Sequence, residues 1–293
     1  MAKKYLRKPD WIKIRMTVNE NFQGVRSTVH GNQLHTVCEE ARCPNLHECW
    51  RRGTATFMIL GDTCTRSCGF CAVKTGRPII YDVNEPLRIA ESVKHMKLKH
   101  VVITSVNRDE LPDGGSEIWA ATIYETRKLN PQTRIEVLVP DFKGIPEQLQ
   151  RIFVAQPDVF SHNLETVSRL YRKVRPQAKY QRSLSVLQQA KMAGLITKTG
   201  IMVGLGETIP EIIELMKDAI HVGVDIFTIG QYLQPTPHHL PVDRYYLPSQ
   251  FAELKQIGLN LGFKQVEAGP LVRSSYHAEE QFQHLNSDVS VKV

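Results

Sequence analysis

Six short apolar, β-rich segments recur along the chain with amphipathic helical segments between them, and this alternation limits the fold more than any other feature. The strand candidates are 54–61 (TATFMILG), 100–106 (HVVITSV), 134–140 (RIEVLVP), 158–164 (DVFSHNL), 196–206 (ITKTGIMVGLG) and 226–233 (IFTIGQYL). Runs of this length and composition read as buried strands. Between them, 85–99, 116–130, 144–156, 180–194 and 210–223 carry apolar residues at helical spacing, as with Leu87, Ala90, Val93 and Met96, which predicts helices with one buried face. The segment 210–223 has proline in its first turn and glycine at its end, the usual polarity of helix ends. Strand and helix in alternation form a parallel sheet. Right-handed crossovers of this length close into a barrel, here a partial (β/α)6 TIM-like α/β fold. An open doubly wound sheet is the alternative. Residues 1–53 lack sustained periodicity and are expected to form an irregular N-terminal extension, with the barrel over 54–235 and a C-terminal extension over 236–293.

Composition fits a folded domain: 293 residues, 42% hydrophobic and 23% charged, enough apolar side chain for a substantial core. No apolar run is long enough to span a membrane. The N-terminus is basic (Lys3, Lys4, Arg7, Lys8, Lys13 and Arg15 against Asp10) but lacks the apolar stretch of a secretory signal and the serines of a transit peptide. A cytoplasmic location follows as the default. The net charge of +7 is spread along the chain, and no recognised nucleic-acid-binding motif is present. Neither a nucleic acid nor a membrane is therefore an expected partner.

All six cysteines fall between residues 38 and 71, at 38, 43, 49, 64, 68 and 71. In a reducing compartment, clustered cysteines bind metal or do chemistry more often than they cross-link. Cys64, Cys68 and Cys71 form C-x3-C-x2-C in the loop after the first predicted strand, at the end of the sheet where such folds gather ligands. Three soft thiolates suit three irons of a [4Fe–4S] cube and leave the fourth iron open. Zinc sites favour separated C-x2-C pairs. The other triplet, Cys38, Cys43 and Cys49, forms C-x4-C-x5-C. Its spacing admits a zinc site completed by His35 or His47, or a second [4Fe–4S] cluster with a fourth ligand from elsewhere. With every cysteine used, that ligand is not a thiolate, and the candidate segment is Gly269–His277.

The cysteine loop, with Phe70 before its last cysteine, and the stretch Gly200–Glu207 on the fifth predicted strand resemble the radical S-adenosylmethionine superfamily. The second stretch matches its G-x-I-x-G-x-x-E pattern with Met202 in place of isoleucine. C-x4-C-x5-C, then C-x3-C-x2-C, then R-S-S-Y (273–276) in turn resemble the lipoyl synthase family. Further matching stretches are TSVNRDELPDGG (104–115), SHNLET (161–166), VRPQAKYQRSL (174–184) and VRSSYHAEEQ (272–281).

That resemblance implies an enzyme that inserts two sulfur atoms at carbons 6 and 8 of a protein-bound octanoyl-lysine, with S-adenosyl-L-methionine and two [4Fe–4S] clusters as cofactors. It implies that Cys64, Cys68 and Cys71 hold the cluster that cleaves S-adenosylmethionine. Cys38, Cys43, Cys49 and Ser275 would hold an auxiliary cluster consumed as the sulfur source. Phe70, Gly204 and Glu207 would border the cofactor, Asn163 and Glu165 would bind ribose hydroxyls, and Arg175 would pair with the methionine carboxylate. Asn107, Arg108 and Asp109 would line the mouth, and Arg273 would hold Ser275. Implied partners are octanoylated lipoyl carrier domains, either 2-oxoacid dehydrogenase E2 or the glycine cleavage H protein, and an electron donor such as ferredoxin or flavodoxin. One geometric point stays open. An eight-residue first strand spans roughly 26 Å, so the five residues from Cys49 cannot carry the first triplet back to the mouth. The triplet must sit at an open side, or the strand must begin later than residue 54.

Overall fold

The computed structural model describes residues 6–13, 18–52, 54–276 and 278. Of the features singled out above, Lys3, Lys4, Arg15, His277 and residues 279–281 lie outside these. The chain packs as two compact units: Ile14–Ser67 with Ala72–Ser161, and Met1–Lys13 with Cys68–Cys71 and His162–Val293.

The first unit contains α1 (Glu20–Gly31), β1 (His35–Thr36), α2 (Val37–Glu40), α3 (Leu46–Arg51), β2 (Thr56–Ile59), β3 (Thr63–Cys64), β4 (Lys74–Thr75), α4 (Glu85–His95), β5 (His100–Ser105), α5 (Ser116–Leu129), β6 (Arg134–Leu138), α6 (Pro146–Val154) and β7 (Val159–Ser161). Strands β2, β5, β6 and β7 are parallel neighbours in that order, and β1 pairs antiparallel with β2. β3 and β4 form a separate parallel pair. Phe57, Ile59, Val101, Ile103, Ile135 and Val137 are all buried, as expected of strands in a parallel sheet covered on both faces. Helix α4 buries Ile89, Ala90 and Val93, and α5 buries Ile118, Trp119, Thr122 and Ile123.

The expected irregularity of residues 1–53 does not hold. Helix α1 lies there, started by the Asn19 side chain, which accepts from the Phe22 N–H at 3.0 Å. Its buried residues include Phe22, Val25 and Val29, three to four apart, so one apolar stripe carries it.

The second unit contains α7 (Tyr171–Val174), α8 (Tyr180–Met192), β8 (Ile196–Val203), α9 (Ile209–His221), β9 (Ile226–Gln231), α10 (Pro248–Leu261) and β10 (Gln265–Gly269). Strands β8, β9 and β10 are parallel, with Met202 opposite Gly230 and Gly230 opposite Gly269. Ile201, Val203, Phe227, Ile229 and Val266 form the core of this unit with Leu215, from α9. Strand β10 is absent from the sequence reading. QVEAG alternates over only five residues with a single large apolar side chain, Val266, and becomes a strand by pairing with β9. Among the described residues no helix is long and apolar enough to cross a membrane.

Candidate active site

Cys64 closes β3, and its sulfur accepts the backbone N–H of Arg66 at 3.4 Å and of Asn107 at 3.3 Å. Such N–H···S contacts draw charge from a thiolate and tune a cluster that it ligates. The loop after Cys64 is fixed to the loop after β5. Thr65 donates its N–H and its hydroxyl to the Asn107 carbonyl, each at 3.0 Å. Arg66, 5% exposed, places Nε and Nη2 on the two oxygens of Asp109 at 2.6 and 2.8 Å, and Nη2 on Asp141 at 2.7 Å. A guanidinium forked onto a carboxylate is held in one orientation. Arg108 donates to the Leu60 carbonyl at 2.9 Å. The expected mouth residues Asn107, Arg108 and Asp109 therefore fasten the cysteine loop. Arg66 and Asp141 were missed, and a lone arginine between two cysteines offers no local sign of its distant partners.

Cys68 and Cys71 belong to the second unit. Gly69 donates to the Val174 carbonyl at 2.9 Å and accepts from Leu240 at 2.9 Å, and Cys71 N–H reaches the Cys68 carbonyl at 3.1 Å. A side chain at position 69 would stand 2.9 Å from the Leu240 side chain. Phe70 packs on the core of this unit. His239 donates from Nε2 to the Cys71 carbonyl at 2.9 Å while Nδ1 accepts from Thr236 Oγ1 at 2.8 Å. The carbonyl partner requires the proton on Nε2, so the tautomer is set. The sequence offers no local sign of this contact between His239 and the cysteine loop.

Asn163, Glu165 and Arg175 are brought together in the second unit. Asn163 Nδ2 donates to Glu165 Oε1 at 3.1 Å, and Arg175 Nη1 donates to the Asn163 carbonyl at 2.7 Å. Glu165 has φ +65°, and its N–H is taken by the Gly200 carbonyl at 2.9 Å. Burial raises the Glu165 pKa, opposed by Arg175, by the hydrogen bond from Asn163 and by Arg273. Asn163 Oδ1 is buried without a hydrogen-bond partner. A buried acceptor left open in this way fits the hydroxyl of a ligand. Gly204 and Glu207 are engaged within the protein. Glu207 accepts the Gly204 and Leu205 N–H groups at 2.6 and 2.9 Å and the Tyr246 hydroxyl at 2.8 Å, which fixes the loop after β8.

The first cysteine triplet lies on α2, α3 and the turn between them. Cys43 N–H bonds the Cys38 carbonyl at 3.0 Å, and Cys49 N–H bonds Asn45 at 2.9 Å. Because β1 runs against β2, the chain leaves β1 toward the start of β2, and the Cys38 thiol takes a hydrogen bond from the Thr56 backbone. Cys64 follows the other end of β2. Four strand residues span about 13 Å, so the triplet and Cys64 stand at opposite ends of that strand. The open geometric point is thereby settled: the strand begins at Thr56, and the triplet stays at its foot.

Burial and the neighbouring Cys43 push Cys38 up to about 12, and burial, Cys38 and Cys43 push Cys49 up to about 12. None of the six cysteines is joined in a disulfide. Two thiols that resist ionising beside Cys43 fit a cationic guest such as the irons of a cluster, which binds thiolates outright. Of the alternative zinc ligands, His35 faces Glu40 at 3.2 Å and His47 stacks on Phe22 at 5.2 Å. Among the described residues no three His, Cys, Asp or Glu side chains surround the position of one metal ion. Ser275 is half-buried in the second unit, in a turn where Tyr276 N–H meets the Arg273 carbonyl at 3.0 Å.

Comparison with known proteins agrees with this chemistry. Residues 58–219 match the radical SAM superfamily, and residues 1–43 match the N-terminal domain of lipoyl synthase of the same family. Lipoyl synthase of Rubrobacter xylanophilus is 58% identical over 276 residues, 94% of this chain and 86% of that one. The enzyme of Bacillus cytotoxicus is 57% identical over 280 residues, 94% of both chains. Among solved structures, the FeFe-hydrogenase maturase HydG of Carboxydothermus hydrogenoformans superposes with a TM-score of 0.60 at 14% identity, over 78% of this chain and 56% of that one. Methylornithine synthase gives 0.56 at 14% identity, over 89% and 82%. At that identity these structures speak for the fold alone, the mostly parallel α/β fold of a partial TIM-like barrel. On identity across most of its length, the chain belongs to the lipoyl synthase family of the radical SAM superfamily.

Proposed function

We propose that the two cysteine triplets hold two [4Fe–4S] clusters with different fates, and that this division of labour carries out the family's reaction. The family inserts sulfur at carbons 6 and 8 of a protein-bound octanoyl-lysine. Cys64, Cys68 and Cys71 hold the cluster that works with S-adenosylmethionine, and Cys38, Cys43, Cys49 and Ser275 hold the auxiliary cluster that donates sulfur. Unactivated C–H bonds are not acidic, so when bound the first cluster and S-adenosylmethionine supply one-electron chemistry that removes hydrogen. The protein's own residues fix where this happens. Arg66, Asp109 and Asp141 hold the loop behind Cys64, and His239 holds the Cys71 carbonyl. Asn163 and Glu165 receive the ribose hydroxyls. The Arg175 guanidinium, whose Nη1 is engaged with backbone carbonyls, keeps the turn at Asn163 and serves the methionine carboxylate. Phe70 backs the cysteine loop, and the Gly204–Glu207 loop, closed by its own hydrogen bonds, borders the adenine.

The observation that carries the two-cluster reading is the second set of three cysteines, gathered on α2, α3 and the turn between them at the foot of β2, with Cys43 raising the pKa of both Cys38 and Cys49. Substrates are octanoylated lipoyl domains of 2-oxoacid dehydrogenase E2 or the glycine cleavage H protein, docking with acidic faces on this basic chain. Ferredoxin or flavodoxin supplies electrons in the cytoplasm.

Iron and sulfide content after anaerobic reconstitution tests the assignment. About eight irons per chain are expected. Cys64→Ala should abolish S-adenosylmethionine cleavage, whereas Cys38→Ala should retain cleavage and lose sulfur insertion. Stoichiometric zinc bound at Cys38, Cys43 and Cys49 in freshly purified protein would overturn the second cluster.

A further inference from the structure

Arg273 is the first residue of R-S-S-Y, and its surroundings belong to another part of the proposed site. Strands β8, β9 and β10 place Met202, Gly230 and Gly269 in one row. Glu165 bridges to this row beside Ile201, and Met202 N–H bonds the Glu165 carbonyl at 2.9 Å. At the other end of the row, Val272 N–H returns to the Gly269 carbonyl at 3.1 Å. The chain then crosses over Gly230. A Cβ at position 230 would collide with the Val272 carbonyl and come within 3.0 Å of Arg273 Nη1. Glycine at the middle of the row is what lets the segment lie this close. Arg273 Nη1 donates to the Val272 carbonyl at 2.7 Å, which bends the side chain back along the row. The guanidinium thus lies over Gly230, whose neighbour across the row, Met202, is bonded to Glu165, and with Arg175 it opposes the rise that burial imposes on the Glu165 pKa.

We propose that Arg273 is a positioning residue that joins the Glu165 site to the turn bearing Ser275, so that ligand binding at Glu165 and placement of the Ser275 hydroxyl are coupled. The proposal rests on the assignments of Glu165 and Ser275 given above. A buried carboxylate whose charge is engaged by a ligand hydroxyl changes its claim on a neighbouring guanidinium. Arg273 and Ser275 are two residues apart in one turn, so movement of the first is passed to the second. The coupling is reciprocal by thermodynamic necessity: seating of Ser275 also adjusts affinity at Glu165.

Three measurements on the full chain decide this. In metal-free protein, Arg273→Gln should lower the melting temperature of wild type but have little effect in a Glu165→Gln background, because the charge it acts on is already gone. Equal losses in both backgrounds would overturn the coupling between the two side chains. In reconstituted protein, Arg273→Gln should weaken binding of S-adenosylhomocysteine, a non-cleavable probe, by about tenfold, with Arg273→Lys restoring part of the loss. Unchanged affinity would overturn the positioning role. Addition of the same probe should shift the electron paramagnetic resonance signal of the auxiliary cluster in wild type and not in Arg273→Gln. Equal shifts in both would remove Arg273 as the link. Failure of the underlying assignment looks different. Ser275→Ala with the iron content and cluster signal of wild type would dismiss Ser275 as a ligand, while the metal-free melting cycle would still decide whether Arg273 and Glu165 are coupled.

Discussion

Arg66 carries a full charge at 5% exposure, and two carboxylates from different loops make that burial tolerable. Removing one leaves a buried cation underpaired, which is far costlier than losing a surface pair. Asp141→Ala is expected to cost about 3 kcal/mol in urea unfolding of the metal-free chain. It should also lower the iron retained by the C-x3-C-x2-C loop after gel filtration. Asp225 shows a second residue-scale effect. Burial alone would raise its pKa, but Lys191 and Lys264, each at 2.7 Å, and the Thr197 N–H at 3.0 Å hold it below 3.8. A carboxylate depressed in the folded state stabilises fully above its ordinary value and loses that contribution as pH falls through the depressed one. The urea midpoint of wild type should therefore fall more steeply on the acid side of 3.8 than that of Asp225→Asn. Parallel acid profiles would contradict this.

At the scale of elements, helix α9 begins with a reciprocal pair: Thr208 N–H reaches Glu211 Oε2 at 2.8 Å and Glu211 N–H reaches Thr208 Oγ1 at 3.5 Å. Arg169 forks onto the same carboxylate and, as the largest influence, takes the Glu211 pKa down to about 2. Thr208→Ala is expected to cost about 1 kcal/mol by denaturant unfolding, with Thr208→Ser close to wild type. The start of α9 was readable from Pro210 and the apolar spacing that follows. Strand ends were less so. Strand β2 stops at Ile59 because Leu60 and Gly61 take φ of +69° and +90°. The Leu60 N–H is then captured by Glu85 at 2.7 Å instead of a neighbouring strand. A leucine in left-handed backbone is unfavourable in isolation. Only the partner 25 residues away makes it stable, so the local pattern ran the strand on.

For the whole molecule, the charge of +7 bears on encounter with carrier proteins. Attraction between exposed charges over such distances is screened by salt. Sulfur insertion into an octanoylated carrier domain should slow as ionic strength rises, while insertion into a short neutral octanoyl-lysine peptide should change much less. Equal salt dependence for both would dismiss charge steering.

Alternation of strand and helix, the count and spacing of six thiols, and the order of the three motifs are local properties of the chain, and the sequence by itself determined them. Ligand counting for the proposed pair of clusters reached only the segment Gly269–His277; the resemblance to the lipoyl synthase family singled out Ser275 within it. The tertiary structure alone decided that the first triplet sits at the foot of β2 and that Arg66 is paired with carboxylates 43 and 75 residues away. It also decided that Arg273 lies over Gly230. Periodicity and spacing follow from the geometry of a few consecutive residues. Contacts between distant residues exist only once strands are in register and side chains are packed.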